Sequence, residues 1–421
     1  MDRRLNIHRF HRLQLILIGI FFIQILNSQQ QNLDYFLKIG LQNSPVLKDY
    51  NNRVKSALID SMRIKAGTGI QVNASGVNSY APVIRGWGYD EVKTDIAELS
   101  AVVQISKEIT WSKNLLNKYE AVRLQNKSAL LEGSLSARDL KRTIISQYIL
   151  AFGDQQYYKL NSEVMDVLRK EEQIIKKLAE NGFYRQTEYL SFVVNIRQQE
   201  LVMEQFNLQF KTDYETLNYL CGIYDTTRFV LADPGLISTP PMGTRNTLFF
   251  RQFVIDSLKL VNSARQIDFD YQPKLSVFAD GGYLSSLAVT PWKNFGISAG
   301  LSLTVPVYDG RQKQMQHNQV SISESTRSNY QDFFENQYRQ QIVLLEHQLS
   351  SIDQITKKIL EQQKYSRALI DANRALLNTG DISVSDYILS VNNYLNANNM
   401  LIENTIERFR IINDLNYWTE K

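Results

Sequence analysis

The chain carries one unit twice. Asn181-Gly182-Phe183 through Leu217-Asn218-Tyr219 lines up without a gap on Thr379-Gly380-Asp381 through Leu415-Asn416-Tyr417. Tyr189 falls on Tyr387, Val193 on Val391 and Asn195 on Asn393. With no change of offset, residues 99–105 (Leu-Ser-Ala-Val-Val-Gln-Ile) fall on residues 297–303 (Ile-Ser-Ala-Gly-Leu-Ser-Leu). A duplication that spans both a strand and a very long helix fixes the order of elements twice over and leaves few folds open.

The first copy covers residues 29–222. A helical stretch from about 33 to 65 is punctuated by Asn43-Ser44-Pro45, with Ser44 placed to cap and Pro45 at a first helical position. Ile70, Val72, Ala74 and Gly76 alternate with Gln71, Asn73 and Ser75, and Leu99, Ala101, Val103 and Ile105 alternate with Ser100, Val102, Gln104 and Ser106, so a hairpin with a long connection is expected over about 70–107. From about 112 to 178 there is no proline and apolar residues recur at three- and four-residue steps, which predicts one helix ~100 Å long at 1.5 Å per residue. Asn181-Gly182 turns the chain into a returning helix, about 186–220. Asp233-Pro234-Gly235 and Pro240-Pro241-Met242-Gly243 mark a linker over 223–245. The second copy, 246–421, repeats the pattern: a helix over about 246–270, a hairpin over about 274–308, a long helix over about 310–377 and a returning helix over about 382–418. In its second strand Ile297, Ala299, Leu301, Leu303, Val305 and Val307 alternate with Ser298, Gly300, Ser302, Thr304 and Pro306.

Residues 1–28 read as an export signal. Arg3, Arg4, Arg9 and Arg12 precede an apolar run from Leu13 to Leu26, too short for a helix that needs ~20 residues to span a bilayer. Without these four arginines and Asp2 the formal net charge of +4 falls to +1, which offers no basic footprint for nucleic acid. Cys221 is the single cysteine, so the chain folds without an internal disulfide.

Strands of this length can cross a bilayer when tilted. Tyr80, Trp87 and Tyr89, then Tyr283, Trp292 and Phe295, stand near the hairpin ends, where aromatic side chains suit a membrane interface. Four strands cannot close a barrel, and open edges are not tolerated in lipid. A membrane reading therefore requires several copies of the chain. The smallest number that leaves a lumen is three. The expected fold class is α+β: a long antiparallel helical coiled-coil barrel plus a transmembrane β-barrel, built from two repeats of helix-strand-strand-long helix-helix and closed by trimerisation. The competing reading of the same elements is a non-conducting periplasmic coiled-coil scaffold or adaptor.

These features bring the chain to a resemblance. Residues 295–311, Phe-Gly-Ile-Ser-Ala-Gly-Leu-Ser-Leu-Thr-Val-Pro-Val-Tyr-Asp-Gly-Arg, look like the strand-to-helix junction of the TolC-type outer-membrane efflux and secretion channels. Gly380 followed by Asp386-Tyr387-Ile388-Leu389 is similar to that family's tip glycine and the Asp that opens its returning helix. Asn43-Ser44-Pro45-Val46-Leu47 resembles its N-terminal Asn-x-Pro-x-Leu segment. The resemblance implies a trimeric duct in the outer membrane that extends into the periplasm. Its partners would be a periplasmic adaptor (membrane fusion) protein and an inner-membrane pump. It implies a passive channel of a tripartite efflux or type I secretion system, with no cofactor.

The candidate residues follow. Asp386, Glu188 and Tyr387 are expected at a periplasmic gate, where rings of like charge select cations; Asp386 also stands where a carboxylate offsets a helix dipole. Asn181, Gly182 and Phe183, with Thr379, Gly380 and Asp381, form the helical tips expected to meet the adaptor, the glycines allowing the left-handed turn. The tips lack the family's usual Val-Gly, and Leu389 stands where some members carry a second Asp. Pro306, Tyr308, Asp309 and Gly310 are the strand-helix junction. His317 and His347 are too far apart to share a metal. No nucleophile-elbow, phosphate-loop, paired-cysteine or paired-carboxylate pattern appears with a supporting context, so neither a catalytic nor a metal site is expected.

Overall fold

The structure, a computed structural model, describes residues 32–87, 96–225, 227–240, 243, 245, 247–286 and 290–419. The expected export signal over residues 1–28, Gly88, Tyr89, Pro241, Met242 and Asn246 lie outside them. Helices α1 (Leu33–Asn43) and α2 (Pro45–Gly67) lead into strands β1 (Gln71–Ala81) and β2 (Ile96–Ile109), then helices α3 (Ser112–Glu180) and α4 (Gln186–Cys221). Helix α5 (Leu248–Asp270), strands β3 (Lys274–Ser285) and β4 (Phe295–Thr304), and helices α6 (Gln312–Thr379) and α7 (Val384–Thr419) follow. Ser44 separates α1 from α2. Its N–H closes α1 on the Gly40 carbonyl at 3.1 Å, while its Oγ accepts the Leu47 N–H at 3.4 Å. Pro45, which has no N–H to leave unpaired, opens α2.

By contacts the chain divides into two compact units, and each draws on both sequence copies. The first holds the residues up to Leu47, Ser136–Thr247 and Gln337 onward; the second holds Lys48–Leu135 and Leu248–Asn336. Two apolar cores fill the first unit. One gathers Leu160, Val164, Leu168 and Ile175 of α3, spaced to share a helix face, with Phe192 of α4 and Val384, Tyr387 and Val391 of α7. The other packs Phe36 of α1 between Tyr148 of α3 and Tyr214 of α4, ring centroids 5.8 and 6.2 Å away. Each such side chain contributes ~1.5–3 kcal/mol on burial. The linker is fastened to this unit by amide side chains. Gln155 donates to the Leu231 carbonyl (3.0 Å) and accepts its N–H (2.8 Å), while Asn416 does the same for Ile237 O (2.9 Å) and Thr239 N–H (2.8 Å).

The second unit holds one antiparallel sheet in the order β1-β2-β3-β4. The inner strands β2 and β3 join the two hairpins, from Leu99↔Ser285 to Ile109↔Leu275. Strands β1 and β4 are edges, and nearly all their residues are exposed. The alternating pattern therefore describes two faces that a single chain leaves uncovered. One expectation needs correction: β4 ends at Thr304, and Val305 and Val307 lie beyond it. Pro306 between them has no N–H to contribute to a ladder. Beside the sheet, Asn262 of α5 donates to the Asn117 backbone and side chain (3.0 and 2.8 Å), and Asn117 of α3 donates back to the Asn262 carbonyl (3.3 Å). No helix among the described residues is long and apolar enough to cross a membrane.

Candidate functional site

The two helical tips, both in the first unit, are built alike. At the end of α3, Gly182 adopts φ +80° and its N–H reaches Ala179 O at 3.1 Å, while the Phe183 N–H reaches Leu178 O at 2.9 Å. At the end of α6, Gly380 also has φ +80°, its N–H reaches Leu377 O at 3.3 Å, and the Asp381 N–H reaches Leu376 O at 3.0 Å. This paired pattern satisfies carbonyls that a helix terminus leaves open, and it needs a residue free to turn left-handed. A Cβ at position 182 would meet nothing within 4 Å, so the glycine there answers to backbone conformation and not to space. The tips are neighbours: a Cβ on Gly380 would lie 3.8 Å from the ring of Phe183, which is itself 66% exposed.

The returning helices begin with acidic caps. Glu188 accepts the Arg185 N–H at 2.9 Å. Ser383 accepts the Asp386 N–H at 3.1 Å and donates its hydroxyl to Asp386 Oδ2 at 2.7 Å. Asp386 is exposed, Glu188 is half-buried and Tyr387 is fully buried. The ring of Tyr387 lies 6.3 Å from that of Phe192, in the core behind the tips, and its hydroxyl has no hydrogen-bond partner. Burial, followed by the nearby Glu171 carboxylate, pushes this phenol up to about 12. Thr379 and Asp381 are exposed and joined, hydroxyl to carboxylate, at 2.6 Å. Asn181 folds back onto the Lys177 carbonyl at 2.9 Å.

Two groups that sequence reasoning missed bind the tips together. Tyr184, buried just past the first tip, sets its hydroxyl 3.1 Å from Leu377 O and 2.9 Å from Ile382 O, one on each side of the second tip. Burial pushes this phenol up as well. The available signal was an aromatic residue directly after the turn, where the second copy has Ile382. Deeper in the unit, Arg374 of α6 meets Glu171 of α3 at 2.6 Å; Glu171 is 1% exposed and its Oε2 has no partner. A crevice of about 90 Å³ opens beside this pair, lined by Leu160, Val164, Arg367, Arg374, Tyr387 and Tyr394.

No family model and no curated protein sequence matches the chain. Solved structures do. The CmeC outer-membrane channel of Campylobacter jejuni superposes with a TM-score of 0.71 at 13% identity, covering 92% of this chain and 85% of that one. The outer-membrane protein VceC of Vibrio cholerae gives 0.70 at 12%, covering 92% and 95%. The MtrE outer-membrane channel of Neisseria gonorrhoeae in its open state gives 0.71 at 11%, covering 92% and 88%. The chain has the fold of the TolC-type outer-membrane channels.

Within this TolC-type fold the strand-helix junction belongs to the second unit. Asp309 accepts the N–H groups of Arg311 (2.8 Å) and Lys313 (2.7 Å) and so caps α6. Gly310 has φ +65°, and Pro306 and Tyr308 are exposed. Cys221 is buried, and desolvation pushes its thiol up to about 12, far from a reactive thiolate. Among the described residues, no group of three or more His, Cys, Asp or Glu is placed to hold a metal ion.

Proposed function

We propose that three copies of this chain form a passive exit duct in the outer membrane that extends into the periplasm and serves a tripartite efflux or type I secretion system. The observation that carries this reading is a four-stranded sheet with two unpaired edges, in a chain with the TolC-type fold. Three such sheets supply enough strands to close a barrel around a lumen, and closure removes every edge that lipid would leave unsatisfied. Exposed apolar side chains on the strands, among them Val72, Ile297 and Leu301, would then face lipid.

In this reading the helical tips are the periplasmic end. Asn181, Gly182, Phe183, Thr379 and Asp381, all exposed, and the half-buried Gly380 between the last two form the face offered to a periplasmic adaptor, itself coupled to an inner-membrane pump. Three copies of Asp386 put like charges around the mouth, with Glu188 beside them and Tyr387 bracing the helix from within. The duct itself performs no chemistry and uses no cofactor.

The test is direct. Outer-membrane fractions should contain a heat-modifiable trimer, and the purified protein should conduct ions across planar lipid bilayers. Asp386→Ala should loosen the closed state and change cation selectivity, whereas unchanged conductance and selectivity would remove Asp386 from the gate. A soluble, non-conducting periplasmic monomer would overturn the duct and leave a scaffold in its place.

A further inference from the structure

The sheet sorts its side chains onto two faces that differ in kind. One carries Val72 of β1, Val103 and Ile105 of β2, Val277 of β3 and Leu301 of β4, all exposed. The other carries a polar row that crosses all four strands at one level. Asn73 of β1 stands opposite Gln104 of β2, Gln104 opposite Asp280 of β3, and Asp280 opposite Ser298 of β4. Residues directly opposed in a ladder share a face. The Ser298 hydroxyl donates to Asp280 Oδ2 at 2.6 Å, which fixes both side chains on that face.

Asp280 is the only charged residue of this row. At the next level of the same face, Gly282 stands opposite Gly296, so β3 and β4 add no side chain above the carboxylate. The other charges of the polar face stand toward its ends. Glu98 and Glu108 lie six and four residues from Gln104, and Lys274 lies six residues from Asp280. At ~3.3 Å per residue these are ~13–20 Å away. Physiological salt screens exposed charges beyond ~8 Å. The potential at the middle of the polar face is therefore set by Asp280.

The inference that follows rests on the reading of the sheet as one third of a barrel. With the apolar face turned to lipid, the polar face lines the lumen. We propose that Asp280, three to an assembly, makes the membrane part of the duct selective for cations, organic amines among them. Twelve strands ~4.8 Å apart and tilted ~40° enclose a backbone cylinder ~24 Å across. A carboxylate on its wall stands ~10 Å from the axis, about the Debye length in 0.1 M salt. The three charges thus act on the whole cross-section in dilute salt and only along the wall in concentrated salt. Asn73, Gln104 and Ser298 complete the ring with neutral groups, so a cation is attracted there without being trapped.

Two measurements on the full-length protein test this. In planar bilayers under a KCl gradient, the reversal potential gives the ratio of cation to anion permeability. An Asp386→Ala background removes the other acidic position assigned to the duct. There Asp280→Asn, which keeps an acceptor for Ser298, should lower the ratio roughly twofold in ~10 mM salt and hardly at all in ~1 M, where the Debye length is ~3 Å. Asp280→Lys should turn the preference toward anions. A ratio that Asp280→Asn leaves unaltered in dilute salt overturns the proposal. Thiol labelling tests the duct separately, since the native Cys221 is buried. In outer-membrane fractions a charged, water-soluble thiol reagent should modify Asp280→Cys and spare Ala279→Cys on the opposite face. Equal reaction at both positions overturns the barrel and this inference with it. Reaction at 280 alone, with an unaltered permeability ratio, leaves the barrel standing and overturns the role of the charge.

Discussion

The tips at the ends of α3 and α6 share a backbone and differ in nearly every side chain that supports it. Both place glycine at φ +80° and close the helix with the same two hydrogen bonds. Beyond that they diverge. The first returns through a glutamate that reaches an N–H three residues before it; the second returns through a serine and an aspartate that hold each other. The first ends in an exposed phenylalanine, the second in an exposed aspartate tied to a threonine. Only the first supplies a tyrosine, Tyr184, that reaches across to its neighbour. The turn tolerates one solution, because an L-residue pays to turn left-handed. Caps tolerate several, because any short oxygen-bearing side chain can meet an open N–H. Dependence between the tips therefore runs one way, with the second leaning on the first.

Substitutions can test that asymmetry. The largest effect is expected where the α3 and α6 hairpins are joined by charge: Arg374→Met leaves Glu171 buried without its partner and should cost about 3–5 kcal/mol in denaturant unfolding. Next comes a contrast between two buried tyrosines. Tyr184→Phe removes the hydroxyl that the Leu377 and Ile382 carbonyls share and should cost about 1–2 kcal/mol, whereas Tyr387→Phe removes a hydroxyl that has no partner and should be neutral or slightly stabilising. Equal losses at both positions would show that the bridge across the tips contributes nothing particular. Gly182→Ala and Gly380→Ala should each cost about 1 kcal/mol, since both fail for the same backbone reason. A markedly larger cost at Gly380 would reveal crowding against Phe183. The smallest effects belong to the caps. Glu188→Ala and Asp386→Ala should each cost about 0.5–1 kcal/mol in thermal melts, so any larger change in conductance from the latter would reflect its charge and not its fold.

What could be read in advance depended on local rules. The ends of α3 and α6 were legible because glycine after a long periodic run has few other uses. Ser44-Pro45 was legible because a cap and a first-turn proline act within their own turn. The end of β4 was misjudged because alternation continues through Val305 and Val307 while the ladder does not, and a pattern of side chains says nothing about a missing N–H at Pro306. Tyr184, and Glu171 with Arg374, were illegible for a different reason. Each acts on a residue from another helix, and helical spacing records which face is apolar without recording what a polar side chain on it will meet. The acidic residues at 188 and 386 were visible as candidates. Their capping contacts account for their positions structurally, and only conductance can add a second role.

The pairing of Leu99 with Ser285 has a consequence for biogenesis. The first hairpin can zip as soon as it emerges, but the strand that completes its inner side is made only after two long helices, a linker and a third helix have followed. Contacts this distant in the chain form late and slowly. Until then a half-made sheet carries an unsatisfied edge rich in valine and isoleucine, the kind of edge that sticks to any other β-strand nearby. Such a nascent chain should need a holding chaperone until its second half arrives.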